Sequence, residues 1–310
     1  MASTSNETVG GSKTILWCVP RAISTAFAKC LSHIEESEVW FEPYTFSYVA
    51  RVEYGLHTKL DLPMEYEGNE EIFHKAKEMT DKRVNTKTVP DRLPYGSVKR
   101  RLEASSTKHV FVKDMAFGMT DGYHQFLPKG YRHTFLIRNP QRHMVSYRRA
   151  IFNHYTECGL LEGEAADEKK FDVELYDPML PKGWHTKELY DLWKYVQDEK
   201  IDPNPIVIDG DDLLTKPAET LSAYCAAVGL PYNDSLLQWD ASLEAFKTMK
   251  AAGDTLLFDI VNFYGTAMKS SCFLPPSKET PRDQLPADVI RGSDKVMKYF
   301  EEMYETRIRV

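Results

Sequence analysis

Leu16-Trp17-Cys18-Val19-Pro20-Arg21-Ala22-Ile23-Ser24-Thr25-Ala26-Phe27 carries an apolar strand pattern straight into a helix start. A strand–turn–helix junction aims several backbone N–H groups and the positive end of a helix at one point, which makes a cradle for a phosphate or sulfate. Arg21 adds a fixed charge suited to bidentate contact with an oxyanion, and Ser24 and Thr25 add two hydroxyl donors. The stretch is not a Walker loop, which needs G-x-x-x-x-G-K-[ST]. Gly11-Ser12-Lys13-Thr14 resembles the end of one, but it precedes the strand instead of following it.

Outward from this junction, short apolar runs alternate with helical periodicity. Thr14–Val19 reads as a first strand, with a helix over about Ser24 to Ile34. Val39-Trp40-Phe41 is a second strand ending at Glu42-Pro43, and residues 68–84 form a helix rich in Glu and Lys. His109–Val112 is a third strand ending in Lys113-Asp114. His133–Ile137 is a fourth, ending in Arg138-Asn139-Pro140 and followed by a helix through about Ile151. Pro205–Ile208 is a fifth, with a helix near 217–228 that stops at Gly229. This alternation predicts an α/β protein with three layers: a mainly parallel central sheet with helices on both faces. Ligands in such sheets bind beyond the carboxyl ends of the strands. Arg21, Glu42, Lys113 and Arg138 all stand at predicted strand ends. Residues 1–12 read as a disordered lead, and 13–310 as a single domain. The segment from Ser270 to Pro286 is placed as a loop over the site.

The chain has 310 residues and a net charge of -7, which argues against wrapping nucleic acid or binding an anionic membrane surface. One window is different: from Gly122 to Thr156 there is no Asp or Glu, where the chain average would place about five. The same window holds Lys129, Arg132, Arg138, Arg142, Arg148 and Arg149, so an anionic ligand or acids brought from elsewhere must balance it. The five cysteines are widely spaced with no C-x-x-C pair, which points to reduced thiols without a structural metal. Neither a secretory leader nor a membrane-spanning run is visible, so a cytoplasmic location is expected.

Pro20-Arg21-x-x-Ser24-Thr25 resembles the 5'-phosphosulfate loop of sulfotransferases that use 3'-phosphoadenosine 5'-phosphosulfate (PAPS). Arg138-Asn139-Pro140 with Ser146 is similar to that family's 3'-phosphate motif. The region from Asp211-Asp212-Leu213 through Pro217 to Val228-Gly229-Leu230-Pro231 resembles a further family segment. The likeness covers about residues 13 to 240 and implies a P-loop-NTPase-like sulfotransferase fold. Two departures stand out. Ala22 and Ile23 replace the usual Ser and Gly, and Lys113-Asp114-Met115 lacks the Lys-x-His that supplies the base in many cytosolic members.

The resemblance implies transfer of a sulfuryl group from PAPS to a hydroxyl, or less readily an amine, of a small-molecule acceptor, with no metal. Arg21, Ala22, Ile23, Ser24 and Thr25 would hold the 5' end of the donor, and Arg138 and Ser146 its 3'-phosphate. Arg21 and Lys113 would stabilise charge. Glu42 is the first candidate for the general base, with Asp114 and His124 behind it, and the plainer role for Glu42 is a structural partner for Arg21. A nucleotide-binding or scaffold protein that kept the fold without turnover is the alternative. A kinase is disfavoured because the Walker lysine is missing. No stretch is diagnostic of a subunit interface.

Overall fold

The computed structural model describes residues 11–120, 122–255 and 260–310. Five strands form one parallel sheet: β1 (Ser12–Cys18), β2 (Ser37–Phe41), β3 (His109–Met115), β4 (Arg132–Ile137) and β5 (Ile206–Asp209), in the order β2-β3-β1-β4-β5. The expected lead over 1–12 lies outside the described residues except for Gly11 and Ser12, and Ser12 is already a buried residue of β1 paired with His109. The protein is α/β, with helices on both faces. On one face α1 (Ser24–Leu31) meets α9 (Pro217–Val228), the Phe27 and Tyr224 ring centroids standing 5.0 Å apart. On the other, Trp17 of β1 packs on Tyr44 of α2 (Pro43–Thr58).

The remaining helices are α3 (Glu70–Val84), α4 (Tyr95–Glu103), α5 (Pro140–Glu157), α6 (Val173–Tyr176), α7 (Thr186–Asp198), α8 (Gly210–Thr215), α10 (Glu244–Lys247), α11 (Val261–Lys269) and α12 (Ala287–Glu305). No described helix is long and apolar enough to cross a membrane.

Strand order corrects one expectation. Glu42 ranks first as a base because consecutive strands are expected side by side, which would set its strand next to the phosphate-type loop, but β3 stands between β2 and β1. Neighbouring strands in sequence are only usually neighbours in space, and here the β1–α1–β2 crossover leaves a gap that β3 later fills. A second correction concerns Lys113 and Asp114. Both belong to β3, opposite Leu16 and Trp17 in register, and are not residues beyond its end. That placement removes both side chains from water, and each is fully buried.

The β1–α1 junction solves its missing glycine by strain. Arg21 and Ile23 adopt left-handed backbone conformations, φ 65° and 74°. For a β-branched residue this is a genuine outlier, costing about 1–2 kcal/mol. The turn is supported from below by Gly210, where a Cβ would come within 3.2 Å of both the Ala22 carbonyl oxygen and the Ile23 side chain. Gly at position 23 is therefore expected to be more stable than Ala there by about 1 kcal/mol, the reverse of their order in a helix interior. Urea unfolding of Ile23→Gly and Ile23→Ala checks this, and equal midpoints would show the turn to be unstrained.

Candidate functional site

The carboxyl ends of β1, β3 and β4 open onto a cavity of about 400 Å³. Its walls carry Arg21, Ile23, Ser24, Thr25, Glu42, Lys113, Arg138 and Ser146, so the structure gathers in one place residues up to 125 positions apart. Ala22 is the exception among the expected loop residues: it is wholly buried beneath the turn and does not line the cavity.

The side of the cavity formed by the β1–α1 junction is cationic. Arg21 Nε donates to Ser146 Oγ at 3.0 Å, and its Nη1 donates to the carbonyl of Phe263 on α11. Arg138 Nη1 donates to the Arg21 carbonyl at 2.6 Å, tying the two segments together. Among the described residues no carboxylate pairs with Arg21. Burial, with Arg138 and Arg149 nearby, pushes its guanidinium down to about 10, still a full charge at neutral pH. Arg149 lies exposed one turn beyond Ser146 on α5. Of the other basic residues in the acid-free window, Arg138 and Arg142 share Asp211 at 3.6 and 2.9 Å, and Arg148 is buried against Asp288 at 3.0 Å. No side chain caps the start of α1, whose N-cap is Ile23, so first-turn N–H groups are left for a ligand at a place where Ser24 and Thr25 face the cavity.

On the cavity wall Glu42 and Lys113 form a buried ion pair through Oε1 and Nζ. The other carboxylate oxygen, Oε2, accepts from the Tyr264 hydroxyl at 2.7 Å. Glu42 is the N-cap residue of α2 by position, in a left-handed conformation, yet its side chain does not cap. Asp114 does that work. Its Oδ2 accepts from Tyr44 N at 2.6 Å, and its Oδ1 from Thr45 N at 3.0 Å and Thr45 Oγ1 at 2.7 Å. Because Asp114 satisfies the helix end, the carboxylate of Glu42 is free to face the cavity. The plainer role, a partner for Arg21, is not what is observed: Glu42 pairs with Lys113.

The two reserve candidates for a base lie elsewhere. Asp114 does not line the cavity; burial pushes its carboxyl up to about 7, against the pull of donors from Thr45, Tyr44 and Met115. His124 stacks on Tyr195 with ring centroids 3.8 Å apart, and it too is absent from the cavity wall. Lys113, expected over a sulfonate, is instead engaged with Glu42, with the Phe41 ring 4.6 Å from its ammonium.

Sequence reasoning missed Phe263 and Tyr264. They come from α11, beyond the stretch covered by the motifs, and touch both the key cation and the key carboxylate. The segment after α11 does border the cavity, through Ser270, Cys272, Leu274, Pro275 and Ser277. It is pinned there by Lys29, fully buried on α1, whose ammonium donates at 3.0 Å to the carbonyls of both Met268 and Ser270.

No protein-family model matches the chain. Two curated Arabidopsis thaliana proteins, named branched-chain-amino-acid aminotransferase-like protein 1 and 2, are 25% and 23% identical to it over 225 residues. The match covers 73% of this chain and 31% of each of theirs, so the chain spans about a third of the length of the curated relatives it matches. Among solved structures, it is similar to a sulfotransferase domain of the curacin biosynthetic pathway, with TM-score 0.42 and 13% identity over 92% of this chain and 98% of that one. It is also similar to a sulfotransferase domain of the Synechococcus PCC 7002 olefin synthase, with TM-score 0.44 and 12% identity over 96% and 98%. Likeness at those scores bears on neither activity nor donor.

Proposed function

We propose that the protein transfers a sulfuryl group from PAPS to the hydroxyl of a small molecule. The observation that carries this reading is Arg21: a half-buried guanidinium on the cavity wall, crowded by two further arginines and left without a carboxylate among the described residues. A cation drawn partly out of water without an anion is costly, and this one is held beside an uncapped helix start. A donor with phosphates at both ends of a nucleoside fits the pairing of Arg21, Ser24 and Thr25 with Arg138 and Ser146. PAPS supplies a sulfur activated by a phosphate leaving group. In the transfer, the acceptor oxygen bonds to sulfur and the sulfur–oxygen bond to the 5'-phosphate breaks. The hydroxyl proton passes to Glu42, and adenosine 3',5'-bisphosphate departs with the bonding pair. The chain's own contribution is position and charge: Arg21 beside the leaving phosphate, Glu42 oriented by Lys113 and Tyr264.

The name of the Arabidopsis proteins raises amine-transfer chemistry through a lysine. Lys113, the lysine on the cavity wall, is held by Glu42 rather than presented as a free amine, which favours the sulfuryl reading.

Calorimetric titration with adenosine 3',5'-bisphosphate tests the donor half. Wild-type protein is expected to bind it, with Arg21→Met and Arg138→Met each weakening it by about 10–100-fold, as for lost hydrogen bonds to a charged group. Adenosine 5'-phosphate should bind more weakly for want of the 3' group. No binding of the bisphosphate at millimolar concentration would end the reading. Tight binding with no sulfation of any acceptor would leave a nucleotide-binding protein without turnover.

A further inference from the structure

α11 is nine residues long, too short to be stable alone in water. Its first turn nevertheless makes two contacts that matter to the site: the Phe263 carbonyl accepts from Arg21, and the Tyr264 hydroxyl donates at 2.7 Å to Glu42 Oε2. Whatever holds this helix in place therefore also orients Glu42. Its far end rests on Lys29, which lies in the last turn of α1 with no exposed surface. The Lys29 ammonium donates at 3.0 Å to the carbonyls of both Met268 and Ser270. Met268 is four residues beyond Tyr264, one turn further along the same buried face of α11. The Ser270 carbonyl also accepts from Trp239 Nε1 at 2.8 Å. Among the described residues the Met268 carbonyl, on the helix itself, is thus the contact that Lys29 makes alone.

A lysine is an expensive choice at this position. Among the described residues no carboxylate pairs with it, and the Phe246 ring stands 5.4 Å from its ammonium. Burial lowers its hold on the proton, which the charge of Asp240 offsets only in part. An apolar side chain would fill the same space without desolvating a charge. What the ammonium adds is a cation at the carboxyl end of α11, where it satisfies an orphan carbonyl and opposes the helix dipole. We propose that Lys29 is a positioning residue: by fixing the last turn of α11 against α1, it sets the Tyr264 hydroxyl on Glu42 and so aims the carboxylate that takes the acceptor proton. This rests on the transferase reading for what Glu42 does, whereas the placement of Tyr264 by Lys29 does not. One helix then serves both sides of the reaction, since Ser24 and Thr25 at its start face the cavity and Lys29 at its end holds the helix that orients the base.

The test uses the full chain with 3-fluorotyrosine at position 264 and, in a second preparation, at position 147, whose hydroxyl is held by Asp177. Lys29→Met is expected to shift or broaden the fluorine resonance at 264 and to leave that at 147 in place. In sulfation assays Lys29→Met should lower kcat by about tenfold, the scale of one lost hydrogen bond to a charged group, with KM for the acceptor and affinity for adenosine 3',5'-bisphosphate within about threefold. Tyr264→Phe should cost about as much, and the double variant no more than either alone, because both act through the same hydrogen bond. Lys29→Gln keeps a donor on a side chain one bond shorter and serves if the methionine variant does not fold. It should move the resonance at 264 less far and lower kcat by about threefold. The inference is overturned if the resonance at 264 does not respond in the folded Lys29 variants, if that at 147 responds as strongly, or if the losses from Lys29→Met and Tyr264→Phe multiply. A response at 264 without sulfation of any acceptor would sink the transferase reading and leave the placement of Tyr264 by Lys29 standing.

Discussion

Lys113→Met is expected to lower the free energy of unfolding by about 3–5 kcal/mol, a large part of the stability of a typical domain. Lys113 lies inside β3 with no exposed surface, and its ammonium meets Glu42, which is 2% exposed. Removing the ammonium leaves a buried carboxylate with the Tyr264 hydroxyl as its one side-chain hydrogen-bond partner among the described residues. Removing both charges is a different matter. In Lys113→Met/Glu42→Gln no ion is stranded, and the amide can still accept from Tyr264. Exchange of a buried ion pair for neutral groups is often close to neutral in stability. The double variant should therefore be more stable than Lys113→Met alone, with a coupling of about 2 kcal/mol or more in a urea-based double-mutant cycle. Simple additivity of the two single changes would show that the pair carries no charge–charge interaction.

The parts of this site that are legible in the sequence are those whose chemistry lies next to a strand pattern. Arg21 and Arg138 each follow an apolar run and precede a helix start, so local periodicity alone puts them at the same edge of a parallel sheet. Glu42 is legible for the same reason, because Pro43 after an apolar strand marks a helix opening. What local pattern does not contain is partnership. Nothing near Asp114 announces that it will cap a helix 70 residues earlier in the chain. That tertiary bond is what separates two carboxylates of similar sequence appearance into one structural group and one facing the cavity. Strand order is hidden likewise, since β2 and β1 are consecutive but apart. Tyr264 reaches Glu42 across 222 positions from a helix with no motif of its own. The tyrosines of the cavity wall are the clearest case. Tyr147 and Tyr155 are readable as helix-face residues, but the fate of their hydroxyls depends on Asp177 in a connection far along the chain. Composition therefore reports an aromatic-rich protein, whereas only the fold reports that these two hydroxyls are spent on Asp177.

Glu42→Gln is expected to reduce the turnover number for sulfation by about 10²–10⁴-fold, the usual loss when a positioned general base is removed. Affinity for adenosine 3',5'-bisphosphate should stay within about twofold, because Glu42 touches Lys113 and Tyr264 and not the arginines that would hold the nucleotide. The variant must be assayed at a temperature where its folded baseline is intact, since it leaves Lys113 buried beside a neutral amide. The size of the loss should also depend on the acceptor. A phenol gives up its proton far more readily than an aliphatic alcohol, so a missing base costs the alcohol more. An undiminished rate with an aliphatic alcohol would exclude Glu42 as the base. The reserve candidates could not then be called upon, because Asp114 is spent on the first turn of α2 and His124 stacks on Tyr195 away from the cavity wall. The proton would have to leave by way of the departing phosphate or water, and a uniform loss across acceptors of different acidity would instead mean that Glu42 only shapes the cavity.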